Sequence, residues 1–413
     1  MPPKISVVGA GLAGLSCAVR LHRAGCDVEL FESADAVGGR VRTDELDGFR
    51  LDRGFQVFLT SYPEALPLLD YDALQLRSFI AGADIQVDGR LHRFADPWRR
   101  PSDAVRTAFG PVAKFSDHFK VLGLRRRTTQ PPVEEVLARP ERSTRALLEE
   151  ENFSSTIVER FFEPFYRGVF LERELDTSSR KFEFTFRMFA NGLATLPRDG
   201  MGAIPAQLAS RIPAERVHLG CRVTEITPNG LRLENGNSVA SDAVVVATEE
   251  RAAAALLGDP LPASDTPNST RCDYYDAPES PIEDPILVLN GNGKGTINSV
   301  AVPSLLSDRY APEGRHLVSV STVGYSPEWT TETMTHELRD WFGEAVNGWR
   351  HLTTYSIPEA LPSQPAGALE PPAKPARIRR GCYRCGDYLD LASINGAFAS
   401  GRRAAEAILE DFA

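Results

Sequence analysis

The stretch from Lys4 to Thr43 constrains the fold more than any other part of the chain: "KISVVGAGLAGLSCAVRLHRAGCDVELFESADAVGGRVRT". The short apolar run "ISVV" has the composition of a buried parallel strand. Glycines follow it at once, then apolar residues come at helical spacing, and "DVELF" forms a second strand-like run. This order predicts a strand, a glycine-rich turn, a helix and a second strand, with Gly25 where the helix would end.

The glycine spacing in this unit is typical of a dinucleotide-binding turn. We expect Gly9 to permit the tight turn, Gly11 to let a pyrophosphate approach the backbone, and Gly14 to let helix and strand pack closely. The start of the helix would then face the phosphates. Glu32 ends the second strand, where a carboxylate can accept hydrogen bonds from ribose hydroxyls. A glycine turn that binds nothing is the alternative, and these residues alone leave NAD and FAD both open.

The segment "ADAVGGRVRT", residues 34–43, favours one of the two cofactors. Its residues Gly38, Gly39 and Arg40 resemble the GG-R motif of the amine oxidase, phytoene desaturase and protoporphyrinogen oxidase superfamily of flavoproteins. The resemblance implies FAD, with the arginine and the nearby backbone at its pyrophosphate. A glycine pair lets a loop pass close to a cofactor, and an arginine offers phosphate a permanent forked positive charge.

Three further stretches resemble the same superfamily. "GFRLDRGFQVF", residues 48–58, is similar to the segment that passes under the flavin, with Gly54 at the close approach. Residues 196–212 resemble a helix entry on the FAD domain, although Asp199 replaces a glycine, and a predicted β-meander follows. The family residue that matches Val223 offers backbone groups to adenine. In the C-terminal stretch "GCYRCGDYLDLASINGAFASGRRAAEAILEDF", the resemblance implies that Asp387 reaches the ribityl or pyrophosphate region.

The resemblance also implies an α/β fold, with a Rossmann-like FAD-binding domain and an inserted α+β substrate domain. The FAD-binding domain would be discontinuous and would comprise residues 1–60, 195–250 and 375–413, while residues 61–194 and 251–374 would form the substrate domain. A helix that starts near Ile394 would point at the flavin. The residues expected to contact FAD are Gly9, Gly11, Ala13, Gly14, Glu32, Gly38, Gly39, Arg40, Gly54, Phe55, Val223, Gly386, Asp387, Ile394, Asn395 and Ala397.

The substrate region gives fewer signals. Residues 143–170 look helical, with Pro164 breaking or kinking the run. Five aromatic residues lie close together in this stretch: Phe161, Phe162, Phe165, Tyr166 and Phe170. They could pack in the core or line an apolar substrate tunnel, and both interpretations stay open. Amine oxidases proper also carry an aromatic cage residue, where this chain has Ser393, and a lysine near the flavin. The candidate lysines here are Lys181, Lys294 and Lys374.

Composition excludes several classes of function. The net charge is −10, and no basic tract with interleaved aromatics of the RNA-binding kind is present, so we expect no nucleic-acid partner. The seven His and six Cys show no metal-ligand spacing, and "CYRC" is interpreted as part of a strand, so no metal site is expected. Without a signal peptide or an apolar run of membrane-spanning length, we expect a cytoplasmic protein.

One segment departs from the overall charge. Residues 90–127 hold ten Lys or Arg against three Asp, a net of +7, so the rest of the chain carries −17. Apolar residues are interleaved with these charges: Trp98, Val105, Phe109, Val112, Phe115, Phe119, Val121, Leu122 and Leu124. This pattern suits the cytoplasmic surface of an anionic membrane. The alternative is a solvated face whose arginines pair with acids elsewhere in the fold.

The sequence thus predicts an FAD-dependent oxidoreductase that takes a hydride from an apolar small molecule, in a carotenoid- or isoprenoid-like desaturation or dehydrogenation. An amine or amino-acid oxidase is the enzymatic alternative. A lipid-carrying protein, similar to Rab escort and GDP-dissociation inhibitor proteins, is the non-enzymatic one. No catalytic acid or base, electron acceptor or oligomeric state is predicted.

Overall fold

The computed structural model of the protein describes residues 2–97, 99–260 and 267–413, except for the side chains of residues 104 and 105. Trp98 and the side chain of Val105, two apolar members of the segment 90–127, therefore lie outside the described part. Over the described residues the fold is a mixed α/β fold with two large sheets. None of the helices described there has the length and apolarity that a membrane crossing requires.

The first large sheet, called the main sheet, gathers strands from both ends of the chain in the order β10–β2–β1–β14–β21–β20. Neighbouring strands are parallel except β21 and β20. Its strands are β1 (Lys4–Val8), β2 (Asp27–Phe31), β10 (Val217–His218), β14 (Ala243–Val246), β20 (Arg377–Arg379) and β21 (Cys382–Arg384). The central strands β1 and β14 are almost wholly buried, which is why they read as unbroken apolar runs rather than as alternating ones.

The second large sheet joins strands from residues 82–95 with strands from residues 268–361, in the order β19–β15–β18–β17–β16–β7–β8. Its neighbours are antiparallel except β16 and β7. The strands are β7 (Gly82–Val87), β8 (Arg90–Ala95), β15 (Asn268–Ala277), β16 (Leu287–Asn290), β17 (Ile297–Ala301), β18 (His316–Val323) and β19 (Arg350–Leu361).

Three small sheets complete the strands. One pairs β3 (Thr43–Leu46) with β4 (Phe49–Asp52), and another joins β5 (Phe58–Leu59), β9 (Ala194–Leu196) and β6 (Arg77–Ser78). The third is an antiparallel meander of β11 (Val223–Thr227), β12 (Gly230–Leu233) and β13 (Ser238–Ala240). Its turns fall at 228–229 and 234–237, where the sequence places glycine and asparagine.

The helices in the described part are α1 (Leu12–Arg23), α2 (Tyr71–Leu74), α3 (Ala104–Phe109), α4 (Phe115–Thr129), α5 (Val133–Leu137), α6 (Thr144–Glu150), α7 (Ser155–Ile157), α8 (Glu163–Phe170), α9 (Ser179–Asn191), α10 (Ala203–Ala209), α11 (Glu250–Leu257), α12 (Thr331–Phe342) and α13 (Ile394–Phe412). Residues 143–170 are mostly helical, in several pieces rather than one. Pro164 lies in the first turn of α8, after a π-helical turn, where a missing N–H costs no helix hydrogen bond.

Helix α1 packs on α13, which brings the two ends of the chain together. The Ser16 hydroxyl donates to the carbonyl of Phe398, 3.0 Å away. A Cβ at Gly401 would lie 2.4 Å from the Ala13 carbonyl oxygen, so only a glycine permits this approach of the two helices. The two glycine-rich stretches of the sequence, one at each end, are thereby placed around one region of the main sheet.

Candidate functional site

A cavity of about 1300 Å³ opens where the parallel strands of the main sheet end. The residues that directly follow or lie just beyond β1, β2, β14 and β21 all line it: Gly9, Glu32, Thr248 and Gly386. The carboxyl edge of a parallel sheet is the usual binding edge in α/β proteins, because loops and helix starts converge there. The cavity then continues between the helices α4, α8 and α9 and the second large sheet.

The glycine turn after β1 is shaped by backbone contacts. Gly9 has φ +108°, and a Cβ there would lie 2.7 Å from the Ala247 carbonyl oxygen. A Cβ at Gly14 would come within 2.0 Å of the Gly9 oxygen, so this glycine packs the helix on the turn and does not line the cavity. Gly11 is different, because a Cβ there would meet no atom within 4 Å. No side chain caps the start of α1, and Gly11 and Ala13 both line the cavity.

Glu32, which directly follows β2, is hydrogen-bonded to this turn. Its carboxylate accepts the backbone N–H of Ala10 at 2.7 Å and that of Ala34 at 2.8 Å. Two backbone donors thus hold the carboxylate at the cavity wall, where a ribose would be recognised by its hydroxyls.

The loop of Gly38 and Gly39 passes directly beside Gly11. Both residues have positive φ, +118° and +58°, and a Cβ at Gly39 would lie 3.3 Å from the Gly11 Cα. The Gly38 N–H donates to the Ala10 carbonyl at 2.8 Å, which ties the second glycine motif to the first. The sequence predicts that both motifs bind one ligand, and the structure places them in contact.

Arg40 and Asp387 lie near opposite ends of the sequence and form an ion pair. Arg40 Nη2 donates to Asp387 Oδ1 at 2.6 Å, and Nη1 donates to the Ala360 carbonyl at 2.9 Å. Burial opposes the charge of the guanidinium, but the Asp387 carboxylate more than offsets it and raises the pKa of Arg40. Sequence reasoning assigns each residue to the cofactor separately and misses the pair, because no local signal links two positions in motifs at opposite ends of a chain.

The C-terminal motif contributes the start of α13. Ser393 caps this helix by accepting the Gly396 N–H at 3.0 Å, and Ile394 and Ala397 line the cavity. Ser393 also lines the cavity, so the position of the missing cage aromatic is occupied by a small capping residue. Asn395 does not line the cavity, because its side chain oxygen accepts the Glu64 N–H at 3.1 Å.

The remaining residues that the sequence assigns to the cofactor, Gly54, Phe55 and Val223, also line the cavity. Gly54 has φ +81° and approaches Ile357, whose Cδ1 would be 2.7 Å from a Cβ at this position. Phe55 beside it lines the cavity and contacts Phe79 edge to face. Val223, at the start of β11, also lines the cavity.

Beyond these residues the cavity is aromatic. Its walls there include Phe94, Phe161, Phe165, Tyr166, Phe170, Phe186 and Phe189. Phe161 and Phe165 stack at 5.5 Å between ring centroids, and Phe165 meets Phe189 at 5.0 Å. Phe162 and Phe170 are fully buried, whereas Phe161 and Phe165 are only partly buried. The aromatic cluster of residues 161–170 therefore serves both as core and as cavity wall.

Of the three candidate lysines, Lys181 lines the cavity. It lies on α9 and is 3% exposed, and its Nζ is 5.2 Å from the centroid of the Phe170 ring. Among the described residues its ammonium has no hydrogen-bond or ion-pair partner, and burial lowers its pKa to about 8. The other two candidate lysines do not line the cavity. The resemblance to amine oxidases, which carry a lysine near the flavin, is the sequence signal that names Lys181 as one of three candidates.

Comparisons with known proteins show the family of the chain and its fold. The model of a family described as flavin-containing amine oxidoreductase matches residues 12–409. Hydroxyneurosporene desaturase from Cereibacter sphaeroides is 61% identical over 41 residues, 10% of this chain and 8% of the desaturase. Coproporphyrinogen III oxidase from Mycobacterium tuberculosis is 30% identical over 175 residues, 41% of this chain and 37% of the oxidase. The chain thus matches well under half the length of these two curated relatives.

Among solved structures, cyclohexylamine oxidase from Brevibacterium oxydans superposes with a TM-score of 0.71 over the whole of both chains, at 16% identity. At this identity the likeness concerns the fold.

Proposed function

The chain belongs to the family of flavin-containing amine oxidoreductases and is an FAD-dependent oxidoreductase; from this premise we propose that it removes a hydride from an apolar substrate of the carotenoid or isoprenoid class. The observation that carries the proposal is the aromatic lining of the cavity beyond the cofactor residues. Apolar walls bury a hydrocarbon favourably, at about 25 cal/mol per Å² of apolar surface removed from water.

The residues at the sheet edge fit FAD. Gly11 leaves open space toward the cavity, and the start of α1 carries N–H groups that no side chain caps. Glu32 would hold a ribose, Arg40 with Asp387 the pyrophosphate and ribityl region, and the Val223 backbone the adenine. When bound, FAD supplies the hydride acceptor. The chain's own part is to hold the substrate against it and to keep water out of the aromatic half.

A cationic amine suits this cavity less well. The carboxylates that line it are Glu32, Asp96, Glu249 and Asp387. Each of them is engaged by donors of the protein, either arginines or backbone N–H groups. The ammonium of Lys181 also lines the cavity, where it would repel a second cation. The coproporphyrinogen and carotenoid names among the relatives fit an uncharged reacting centre better.

The test is anaerobic bleaching of the FAD-loaded protein, followed near ~450 nm. Detergent-dispersed carotenoids and isoprenoids are compared with porphyrinogens, amines and amino acids. We expect the polyenes to bleach the flavin and the amines to leave it oxidised. Bleaching by an amine or amino acid, with none by a polyene, would assign the cavity to amine oxidation instead.

A pair of variants links the result to the cavity. Phe165→Gln places an amide on the aromatic wall, whereas Leu66→Gln changes an exposed leucine outside the cavity. We expect the first to slow bleaching by the polyene at unchanged FAD content and the second to have no effect. Equal rates in the two variants would show that the substrate lies elsewhere.

A further inference from the structure

Helix α4 separates the cavity from the protein surface. At about 100° per residue, its side chains fall on three faces. The buried face holds Asp117, Leu124 and Thr128. The face next to it lines the cavity with His118, Val121 and Arg125. On the third face lie Phe115, Phe119 and Leu122, all within about 60° of one another and all exposed.

The exposed face is unusually apolar. Phe115 is 61% exposed, Phe119 64% and Leu122 45%, and Phe109, six residues before Phe115, is 82% exposed. The rings of Phe115 and Phe119 meet edge to face at 5.5 Å, so they form one surface rather than scattered contacts. We call Phe109, Phe115, Phe119 and Leu122 the apolar patch. Apolar clusters of this kind on a water-facing helix mark a surface that binds another apolar body.

Positive charges flank the patch. Of the ten Lys or Arg in residues 90–127, six pair with acids in the structure: Arg93, Arg99, Arg100, Lys120, Arg125 and Arg127. The other four are exposed and form no ion pair with an acid in the described part of the chain: Arg90, Arg106, Lys114 and Arg126. Arg106 lies one turn before Phe109, Lys114 precedes Phe115, and Arg126 lies one turn after Leu122.

We propose that the apolar patch docks the protein on an anionic lipid bilayer, with Arg106, Lys114 and Arg126 at the head groups. Aromatic side chains gain from burial at the acyl boundary, and cations beside them gain from the surface potential. The charge pattern favours this partner over an acidic protein surface, because the exposed apolar side chains lie between exposed cations along the chain. Repulsion by the acidic remainder of the chain is screened beyond about 8 Å.

Docking in this orientation would place α4 between the bilayer and the cavity, with its exposed face on the lipid and another face lining the cavity. An apolar molecule dissolved in the membrane would then have only the thickness of one helix to pass before it reached the aromatic walls. The docking itself does not depend on the proposed substrate, since vesicle binding is measured without turnover.

The experiment is co-sedimentation of the FAD-loaded protein with vesicles of phosphatidylcholine alone or with a quarter phosphatidylglycerol, at low and high salt. We expect binding to the anionic vesicles that weakens with salt. Phe115→Ser with Phe119→Ser should lower the partition coefficient on the order of a hundredfold. Arg106→Gln, Lys114→Gln and Arg126→Gln together should remove the preference for anionic lipid.

Matched controls change residues of the same kind elsewhere. Leu66→Ser with Tyr325→Ser removes exposed apolar side chains, and Arg23→Gln, Arg77→Gln and Arg379→Gln together remove exposed cations. Both controls should bind as the parent does. Flavin absorbance and the melting temperature verify that every variant is folded.

The fluorescence of an added tryptophan tests the same contact in a variant that should still bind. Phe119→Trp should show a blue shift of the added tryptophan emission with anionic vesicles and quenching by brominated lipid. Binding that ignores the patch variants, or a tryptophan that stays in water, would overturn the proposal. So would a dimer in solution that the patch variants dissociate and that does not bind vesicles, because the patch would then belong to a second copy.

Discussion

Replacing Lys181 by methionine should stabilise the protein, and by an amount that depends on pH. Burial lowers the pKa of this lysine from 10.5 to about 8, because its ammonium lies among aromatic rings without a partner in the described residues. A difference of this size corresponds to about 3 kcal/mol of folding free energy. Methionine fills a similar volume and packs well on the Phe170 ring.

The direction in which stability changes with pH follows from proton binding by Lys181. Between about pH 8 and pH 10.5 the unfolded chain keeps the lysine proton while the folded protein has lost it. The stability of the parent therefore rises with pH in this window. Below the window, the folded protein carries the full free-energy cost of burying the protonated lysine. We expect Lys181→Met to be more stable than the parent by about 3 kcal/mol at pH 7 and by about 2 kcal/mol at pH 9.

The assay is urea denaturation of parent and variant across pH 6.5 to 9.5, after both have been stripped of flavin so that no added anion lies near the ammonium. Comparison with the parent cancels the titration of all other groups. Lys294→Met, at an exposed turn, is the matched control and should show no gain. A variant no more stable than the parent at pH 7, or a gain that does not shrink with pH, would refute the account of Lys181.

Three shorter predictions concern the cofactor half. Glu32→Ala removes the acceptor of two backbone N–H groups and should weaken FAD binding roughly ten- to hundredfold in equilibrium dialysis. Arg40→Ala leaves the Asp387 carboxylate without its guanidinium, so adding Asp387→Asn should recover part of the lost melting temperature; additive losses would contradict the pairing. Gly11→Ala should keep the melting temperature of the flavin-free parent but lose FAD, whereas Gly14→Ala, with its Cβ 2.0 Å from a carbonyl oxygen, should melt lower than the flavin-free parent and also lose FAD.

The glycine turns could be predicted from the sequence because their constraints are local. Gly9 and Gly38 adopt positive φ within a few residues of the strand ends that position them. The turns of the meander and the cap of α13 are local in the same sense, since each is fixed by residues within four positions. These are the features from which the cofactor half of the cavity is built.

The other half of the cavity could not be predicted in the same way. Whether Phe161 is core or wall depends on Phe94 of β8, which reaches it from a distant part of the chain. The pairing of β7 with β16 joins segments about 200 residues apart, and no periodicity in either strand indicates the other. The charge on Lys181 is set by what surrounds it, which only the packed structure determines.

The segment 90–127 shows how a net charge can mislead when the fold is unknown. Its excess of ten cations over three acids describes the sequence, but six of these cations belong to ion pairs, some within the segment and some, such as Arg93–Asp84 and Arg127–Glu151, with acids outside it. A cation that an acid neutralises in this way leaves little charge for a partner. The charges available at the surface are the few beside the apolar patch. Binding to vesicles should therefore depend more steeply on the patch aromatics than on the total charge of the segment. Comparison of the aromatic variants with the cation variants in the vesicle experiment tests which of the two matters more.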